Sequence, residues 1–295
     1  MLIRRNEDLS AFTSIKIGGR ADYFIQAKNV KDLKDSLLLS RDKDLPLFIL
    51  GGGSNVICAD IKGVVVNTRD LKGLKIKPTK EGILIEAMAG TYLRDLVLLS
   101  LKENLWGIHR LYGFPATVGG AVAMNAGAFG VEIKDFLQEI TFLDWEGNIL
   151  TLKANEVDFS YRESPFPKMG IVVSCLFLLK KSPYNVKDEF NRIRRKRKKT
   201  QPINKLTCGS TFKNPPGDFA GRLMERVKLK GYKIGRIGFS EIHANFLINY
   251  GGATFQEALI LIKEAKKRVL EEFGIELQEE VKLIENSSFN GWKIL

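Results

Sequence analysis

Apolar residues recur along the chain with two different periods, one suited to helices and one to strands. A helical repeat over residues 30–39 (VKDLKDSLLL) precedes an apolar strand at 47–50, which runs into Gly51-Gly52-Gly53-Ser54-Asn55. Beyond this loop come Lys62-Gly63 and the β-branched run Val64-Val65-Val66. A dinucleotide-binding Rossmann fingerprint would place an amphipathic helix there, so the glycine loop is not that fingerprint. Residues 91–104 read as a helix capped by Thr91, with Leu93, Leu96, Val97 and Leu101 on one face and Gly107 past its end. It is expected to pack on a sheet built from 82–87, 140–144 and 171–179, the last two joined by a hairpin turn at Glu146-Gly147-Asn148. A capping box, Thr254 with Glu257, opens a last helix that runs through Ala258, Ile262, Ala265 and Val269 to Gly274 with a strongly basic outer face. The longest apolar run, 169–179, is too short to cross a bilayer as a helix and suits a buried strand. No internal repeat is present, which excludes a solenoid.

At 295 residues the chain exceeds a usual single core, so two or three packed units are expected. The start, MLIRRNEDLS, lacks the apolar stretch of a secretory signal, and a cytoplasmic protein is expected. Cys58, Cys175 and Cys208 form no C-x-x-C pair, and the chain has only His109 and His243 besides. Neither a disulfide framework nor a metal site is expected, so any redox chemistry must come from an organic cofactor. The net charge of +12 fits nucleic acid, a membrane surface or polyanionic small molecules. Seven of the ten residues 191–200 (NRIRRKRKKT) are basic, so much of that charge is local. The run reads either as a solvated helix end or as a source of one or two cations for a neighbouring phosphate site. It has no interleaved aromatics, which argues against RNA. Thr200-Gln201-Pro202 then marks a boundary, because proline disfavours continuing a helix.

Consecutive glycines at 51–53 can turn backbone N–H groups toward one anion, with Ser54 and Asn55 as further donors, although such clusters also make plain turns. Residues 116–128 are nearly all small, which suits either tight packing or the approach of a flat ligand. Two such loops about sixty residues apart favour one extended dinucleotide lying across both. Cys208-Gly209-Ser210-Thr211-Phe212-Lys213-Asn214-Pro215 sets a hydroxyl behind a glycine, but lacks the second glycine of a nucleophile elbow. Ser210 is thus a poor nucleophile and a possible proton donor. Arg162 and Glu280, taken alone, read as ordinary surface charges.

In order along the chain, TSIKIGG at 13–19, GGGSN, GFPATVGGA, MNAGAFG, SYRES, GSTFKNP, LKGY at 229–232, HANF at 243–246 and LQEEV at 277–281 resemble the UDP-N-acetylenolpyruvoylglucosamine reductases of bacterial cell-wall synthesis. The resemblance implies an α+β protein, with an FAD-binding fold of the p-cresol methylhydroxylase type in two subdomains (1–60 and 61–200). A smaller α+β substrate-binding domain (201–295) would follow, its residues from about 277 returning to the active site. Non-covalent FAD would lie against Gly51, Gly52, Gly53, Ser54 and Asn55, and against Gly113, Pro115, Ala116, Thr117, Gly119, Gly120, Ala121, Asn125, Ala126, Gly127 and Ala128.

The implied reaction passes hydride from NADPH to the flavin and on to the enolpyruvyl carbon of a UDP-sugar, with protonation next to the carboxylate. By the same match Ser210 delivers the proton, and Arg162 and Glu280 stabilise the charge. Tyr161, Lys198, Asn214, Lys230 and His243 would hold the substrate. A monomer or weak oligomer without nucleic-acid or membrane partners is implied. Ala116 and Gln278 depart from the family's commoner glycine and glutamate. No long insertion lies between Arg162 and Ser210, which matches the short subgroup without a closing tyrosine loop. The competing expectation is another flavoprotein with the same cofactor domain, acting on an alcohol or lactone.

Overall fold

The computed structural model describes residues 1–286, and Ser287 to Leu295 lie outside the described residues. The chain builds two larger sheets and a smaller one; one apolar core spans the two larger sheets, another covers the other face of the first of them, and the smaller sheet has its own. In the first sheet the strands run Ile3–Asp8, Arg20–Gln26, Ile61–Asn67, Leu47–Leu50, and all but the first pair are parallel. Val64, Val65 and Val66 occupy its centre and are buried, as β-branched residues covered on both faces should be. Ile61–Asn67 therefore completes the first sheet, which reaches past the break expected at residue 60. The Val30–Asp42 helix packs Leu33 and Leu37 into the core, and Asn29 caps it by accepting from the Asp32 N–H.

The second sheet is antiparallel throughout, in the order Ile149–Lys153, Leu137–Asp144, Gly170–Lys180, Gly82–Met88, Leu74–Pro78. The turn at 146–148 joins Leu137–Asp144 to the edge strand Ile149–Lys153, and not to Gly170–Lys180 as expected. Asp144 fixes that turn by accepting from both the backbone and side-chain N–H of Asn148. The edge strand is largely exposed, Ile149 and Leu150 included. The Leu93–Glu103 helix is present, but Tyr92 and not Thr91 takes its N-cap position, without a side-chain cap. The Thr91 hydroxyl is instead used on Gly73, donating to its carbonyl at 2.9 Å.

The third sheet, Lys233–Ile234, Ile237–Phe239 and Leu247–Asn249, packs with the helices Ala220–Arg226 and Phe255–Phe273. Thr254 and Glu257 form the expected capping box, and Gly274 ends the long helix at φ 67°. Its outer face is mixed in charge and not strongly basic, since Arg268 pairs with Glu264 and Lys266 with Glu279. The chain then returns, and Lys282–Ile284 pairs in parallel with Val56–Cys58 directly after the glycine loop. No helix among the described residues is long and apolar enough to cross a membrane.

Candidate active site

The two small-residue loops face each other. A Cβ at Gly51 would stand 2.7 Å from Thr117 Oγ1, and one at Gly52 would stand 2.8 Å from the Pro115 carbonyl oxygen. Gly53, at φ 64°, has the Phe12 carbonyl oxygen 1.9 Å from the place of a Cβ, so only glycine fits. Arg69 braces this loop from behind, donating to the carbonyls of Phe12 and Gly52. Close packing accounts for Gly52, Gly53 and also Gly119, whose Cβ would meet that of Ala89 at 2.8 Å.

Gly120 is different. A Cβ there would touch nothing closer than Thr117 Oγ1 at 3.5 Å. With Gly51 and Thr68 it lines a small cavity of about 30 Å³ whose apolar lining includes Ile49, Ile171 and Val172. Among the described residues Thr117 Oγ1 and Asn125 Oδ1 are buried without a hydrogen-bond partner, an arrangement that calls for a polar ligand. The unobstructed Gly120, an apolar lining and unanswered polar atoms fit the approach of a polar cofactor such as FAD. Ser54 and Asn55 end the glycine loop, and Asn55 is used within the protein. Its Nδ2 donates to the Glu280 carbonyl at 3.0 Å, and its carbonyl accepts from the Lys282 N–H. Asn125 donates through Nδ2 to Glu132 and to the Ser160 carbonyl. The small-residue segment, with Ala126, Gly127 and Ala128, is thereby tied to the Arg162 turn.

That turn is tight. Ser160 and Glu163 exchange backbone hydrogen bonds across it, and Arg162 sits at its corner with φ 59°, a left-handed conformation that costs a non-glycine residue about 1–2 kcal/mol. Three contacts hold the guanidinium there. Nε donates to Glu280 Oε1 at 3.0 Å, Nη2 donates to the Gly127 carbonyl at 2.6 Å, and the group lies 4.7 Å from the Tyr161 ring centre. Glu280 is in turn fixed by its N–H to the Thr211 carbonyl at 2.8 Å, which sets it one residue from Ser210 across a short bridge. Burial pushes the Glu280 carboxyl above the usual range, against the opposing pull of Arg162.

Ser210 forms a backbone bridge with Phe246, and among the described residues its hydroxyl makes no hydrogen bond within the protein. The neighbouring Cys208 is buried and its thiol is pushed up to about 12, which removes it as a nucleophile. Two lysines and a carboxylate that the sequence reading did not single out complete this centre. Lys213 donates to Glu163 at 2.5 Å, and burial, with Lys213 nearby, holds the Lys282 ammonium below its ordinary value. Their presence in GSTFKNP, SYRES and the residues after LQEEV was visible, but nothing local marked them as partners.

The expected substrate-binding residues divide. Asn214, Lys230 and His243 gather around the Ala220–Arg226 helix. Asn214 Oδ1 accepts from the Ala220 N–H, Lys230 pairs with Glu225, and His243 packs on Gly221 with its imidazole pKa lowered by burial. Tyr161 is exposed beside Arg162. Lys198 lies apart from them, on the solvent face of the Val186–Thr200 helix with Arg192, Arg194 and Arg195. The helix turns Arg197 inward instead. Its guanidinium lies 4.9 Å and 5.2 Å from the ring centres of Phe114 and Phe129 and against Gly113, with a pKa pushed down by burial to about 10. Its Nε has no hydrogen-bond partner. A helical phase count over NRIRRKRKKT, with Ile193 as the buried reference, was the signal that could have found it.

Comparison with known proteins follows this division of the chain. Residues 21–153 match an FAD binding domain family, and residues 201–284 match the C-terminal domain of UDP-N-acetylenolpyruvoylglucosamine reductase. A protein of that name from Aquifex aeolicus is 53% identical over 295 residues, covering 100% of this chain and 99% of the relative. One from Caldanaerobacter subterraneus is 40% identical, covering 95% of this chain and 92% of the relative. The crystal structure of the corresponding reductase from Thermus caldophilus superposes with a TM-score of 0.77 at 33% identity, covering 97% of this chain and all of that one.

Proposed function

The chain belongs to the UDP-N-acetylenolpyruvoylglucosamine reductase family, and from that premise we propose how its own residues carry the reaction. It reduces the enolpyruvyl ether of UDP-N-acetylglucosamine to UDP-N-acetylmuramate, with FAD as cofactor and NADPH as donor. When bound, FAD relays the two electrons from the nicotinamide to the substrate double bond. The residues before about 200 hold it, with the loops at 51–55 and 113–128 as the walls of its cleft, and 201–295 hold the sugar nucleotide.

The observation that carries the assignment of roles is the 3.0 Å Arg162–Glu280 contact, made where the Glu280 N–H meets the carbonyl of Thr211, the residue after Ser210. Arg162 binds the substrate carboxylate. A Glu280 carboxyl that holds its proton above the usual pH range can donate a hydrogen bond to the same group and to the charge that develops next to it. Ser210 delivers the proton to the carbon bearing that carboxylate. Lys282 adds a partly desolvated cation that favours an anion there. Asn214, Lys230, His243 and Tyr161 hold the sugar nucleotide. Arg197, and not the outward Lys198, supplies the buried cation on this helix.

A nucleotide-linked precursor of peptidoglycan belongs to the cytoplasm, and cell shape and division would depend on the step. A monomer or weak oligomer suffices, because Arg162, Ser210 and Glu280 come from one chain. Oxidation of an alcohol or lactone is not favoured, because the match at 201–284 is to the reductase's own C-terminal domain. The test is anaerobic. The flavin absorbance of Ser210→Ala should bleach with NADPH as in the parent, while its recovery on adding the enolpyruvyl substrate slows by about a hundred-fold or more. Equal damage to both halves of the reaction would remove Ser210 from the role.

A further inference from the structure

Two charged contacts link the turn at 160–163 to the segments that carry Ser210 and Glu280. One is Arg162–Glu280, and the other is Lys213–Glu163 at 2.5 Å. Both start from the same turn, since Glu163 directly follows Arg162 and closes it through the paired backbone hydrogen bonds with Ser160. Lys213 is anchored at its own end. Its N–H donates to the Gln278 carbonyl at 2.9 Å, and its side chain is only 13% exposed. The strand segment 210–213 and the segment 278–280 are thus one small ladder, with the Phe212–Glu279 bridge at its centre. The small-residue segment adds its own hold on the turn, through the Ser164 hydroxyl to the Ala123 carbonyl and Asn125 to the Ser160 carbonyl.

We infer that Lys213 and Glu163 are a positioning pair, which fixes the strained Arg162 turn against the Ser210–Glu280 ladder so that one substrate carboxylate meets all three groups together. The inference rests on the proposed roles of those residues. Arg162 alone is a weak register device, because its guanidinium must part from Glu280, or share it, when it binds a substrate anion. The ammonium of Lys213 needs no such exchange. It contacts the turn at Glu163, outside the Arg162–Glu280 contact, and it survives substrate entry. The hydrogen bond from Lys213 also holds the Glu163 carboxyl below its ordinary range, so that carboxylate stays charged across the neutral region.

The experiment compares the two halves of the reaction in Glu163→Gln, Lys213→Met, Lys213→Arg and the reversed pair Glu163→Lys with Lys213→Glu. In the holoenzyme, each neutral variant should keep its flavin and be reduced by NADPH within about three-fold of the parent, while reoxidation by the enolpyruvyl substrate slows by about ten- to hundred-fold. Lys213→Arg and the reversed pair should each recover at least about five-fold of that loss, because the charge contact is restored. Equal slowing of both halves, unchanged reoxidation in the neutral variants, or no recovery by either restored pair would each overturn the inference. A parent enzyme whose bleached flavin ignores the enolpyruvyl substrate would instead overturn the functional reading beneath it, so the two failures are distinct.

Discussion

Gly120 separates a glycine required by packing from one required by a ligand. It lies in the Val118–Ala123 helix with a helical backbone, and an added methyl meets only Thr117 Oγ1, at the ordinary contact distance of 3.5 Å. In the protein without cofactor, Gly120→Ala should therefore stabilise by about 0.5–1 kcal/mol, the usual gain from replacing a helical glycine. For a chain of this length that is a rise in melting temperature of about 1–3 °C. The same methyl projects into the cleft shared with Gly51 and Ile171. If FAD lies there, one methylene of overpacking costs about 1–3 kcal/mol, which weakens FAD binding by about ten- to hundred-fold.

Gly119→Ala is the control. Its methyl would stand 2.8 Å from the Ala89 Cβ and 3.2 Å from the Ala89 carbonyl oxygen, so the cofactor-free protein itself should lose about 1–3 kcal/mol. Thermal melts of the stripped proteins and titration of FAD by fluorescence quenching measure both quantities. Gly120→Ala protein that binds FAD as the parent does would show that this cleft is not where the cofactor lies. Stripped Gly120→Ala protein that melts lower would show that packing, and not a ligand, demands the glycine.

Two further outcomes follow from buried polar groups. Asn245 is 3% exposed, accepts from the Phe212 N–H at 2.9 Å and donates to the Phe212 carbonyl at 2.8 Å. Asn245→Ala leaves both buried partners unmet and should cost about 2–5 kcal/mol in urea unfolding; a loss below about 1 kcal/mol would mean that water replaces the side chain. Glu280 has its folded-state pKa raised above 4.5 by burial, so its stabilising contribution is present below that value and is lost as pH rises through the folded pKa. The stability of the parent relative to Glu280→Gln should fall as pH rises from about 4.5 through the folded pKa, and a relative gain on that rise would refute burial as the dominant influence.

Features written in neighbouring residues were legible before any coordinates. The Thr254–Glu257 box and the Gly274 stop are bonds between residues three or four apart, so their chemistry is complete within a short window. The absence of a helix after the glycine loop, the buried Val64–Val66 strand and the motif order that marks the family were legible for the same reason. Where a side chain had two partners to choose from, local reading failed. Thr91 could cap the helix or bond Gly73, and the neighbouring strand end was the partner it met. In the strand Ile149–Lys153 the apolar Ile149 and Leu150 stay exposed at a sheet edge, and only its ladder with Leu137–Asp144 makes it a strand.

The active site divides in the same way. The residue types in SYRES, GSTFKNP and LQEEV set which chemistry was available. The chain path decided which of those groups meet: Arg162 reaches Glu280 across 118 positions and Lys213 reaches Glu163 across 50. It also turned Arg197 rather than Lys198 toward Phe114, because a helix fixed by Val186 and Ile193 at its buried face admits only one phase. A charge's strength depends on how much water surrounds it and which ions lie within a few ångströms, and both are properties of the folded chain. Sequence thus carries the reacting groups, and packing sets their pKa values, their partners and the one geometry in which they act together.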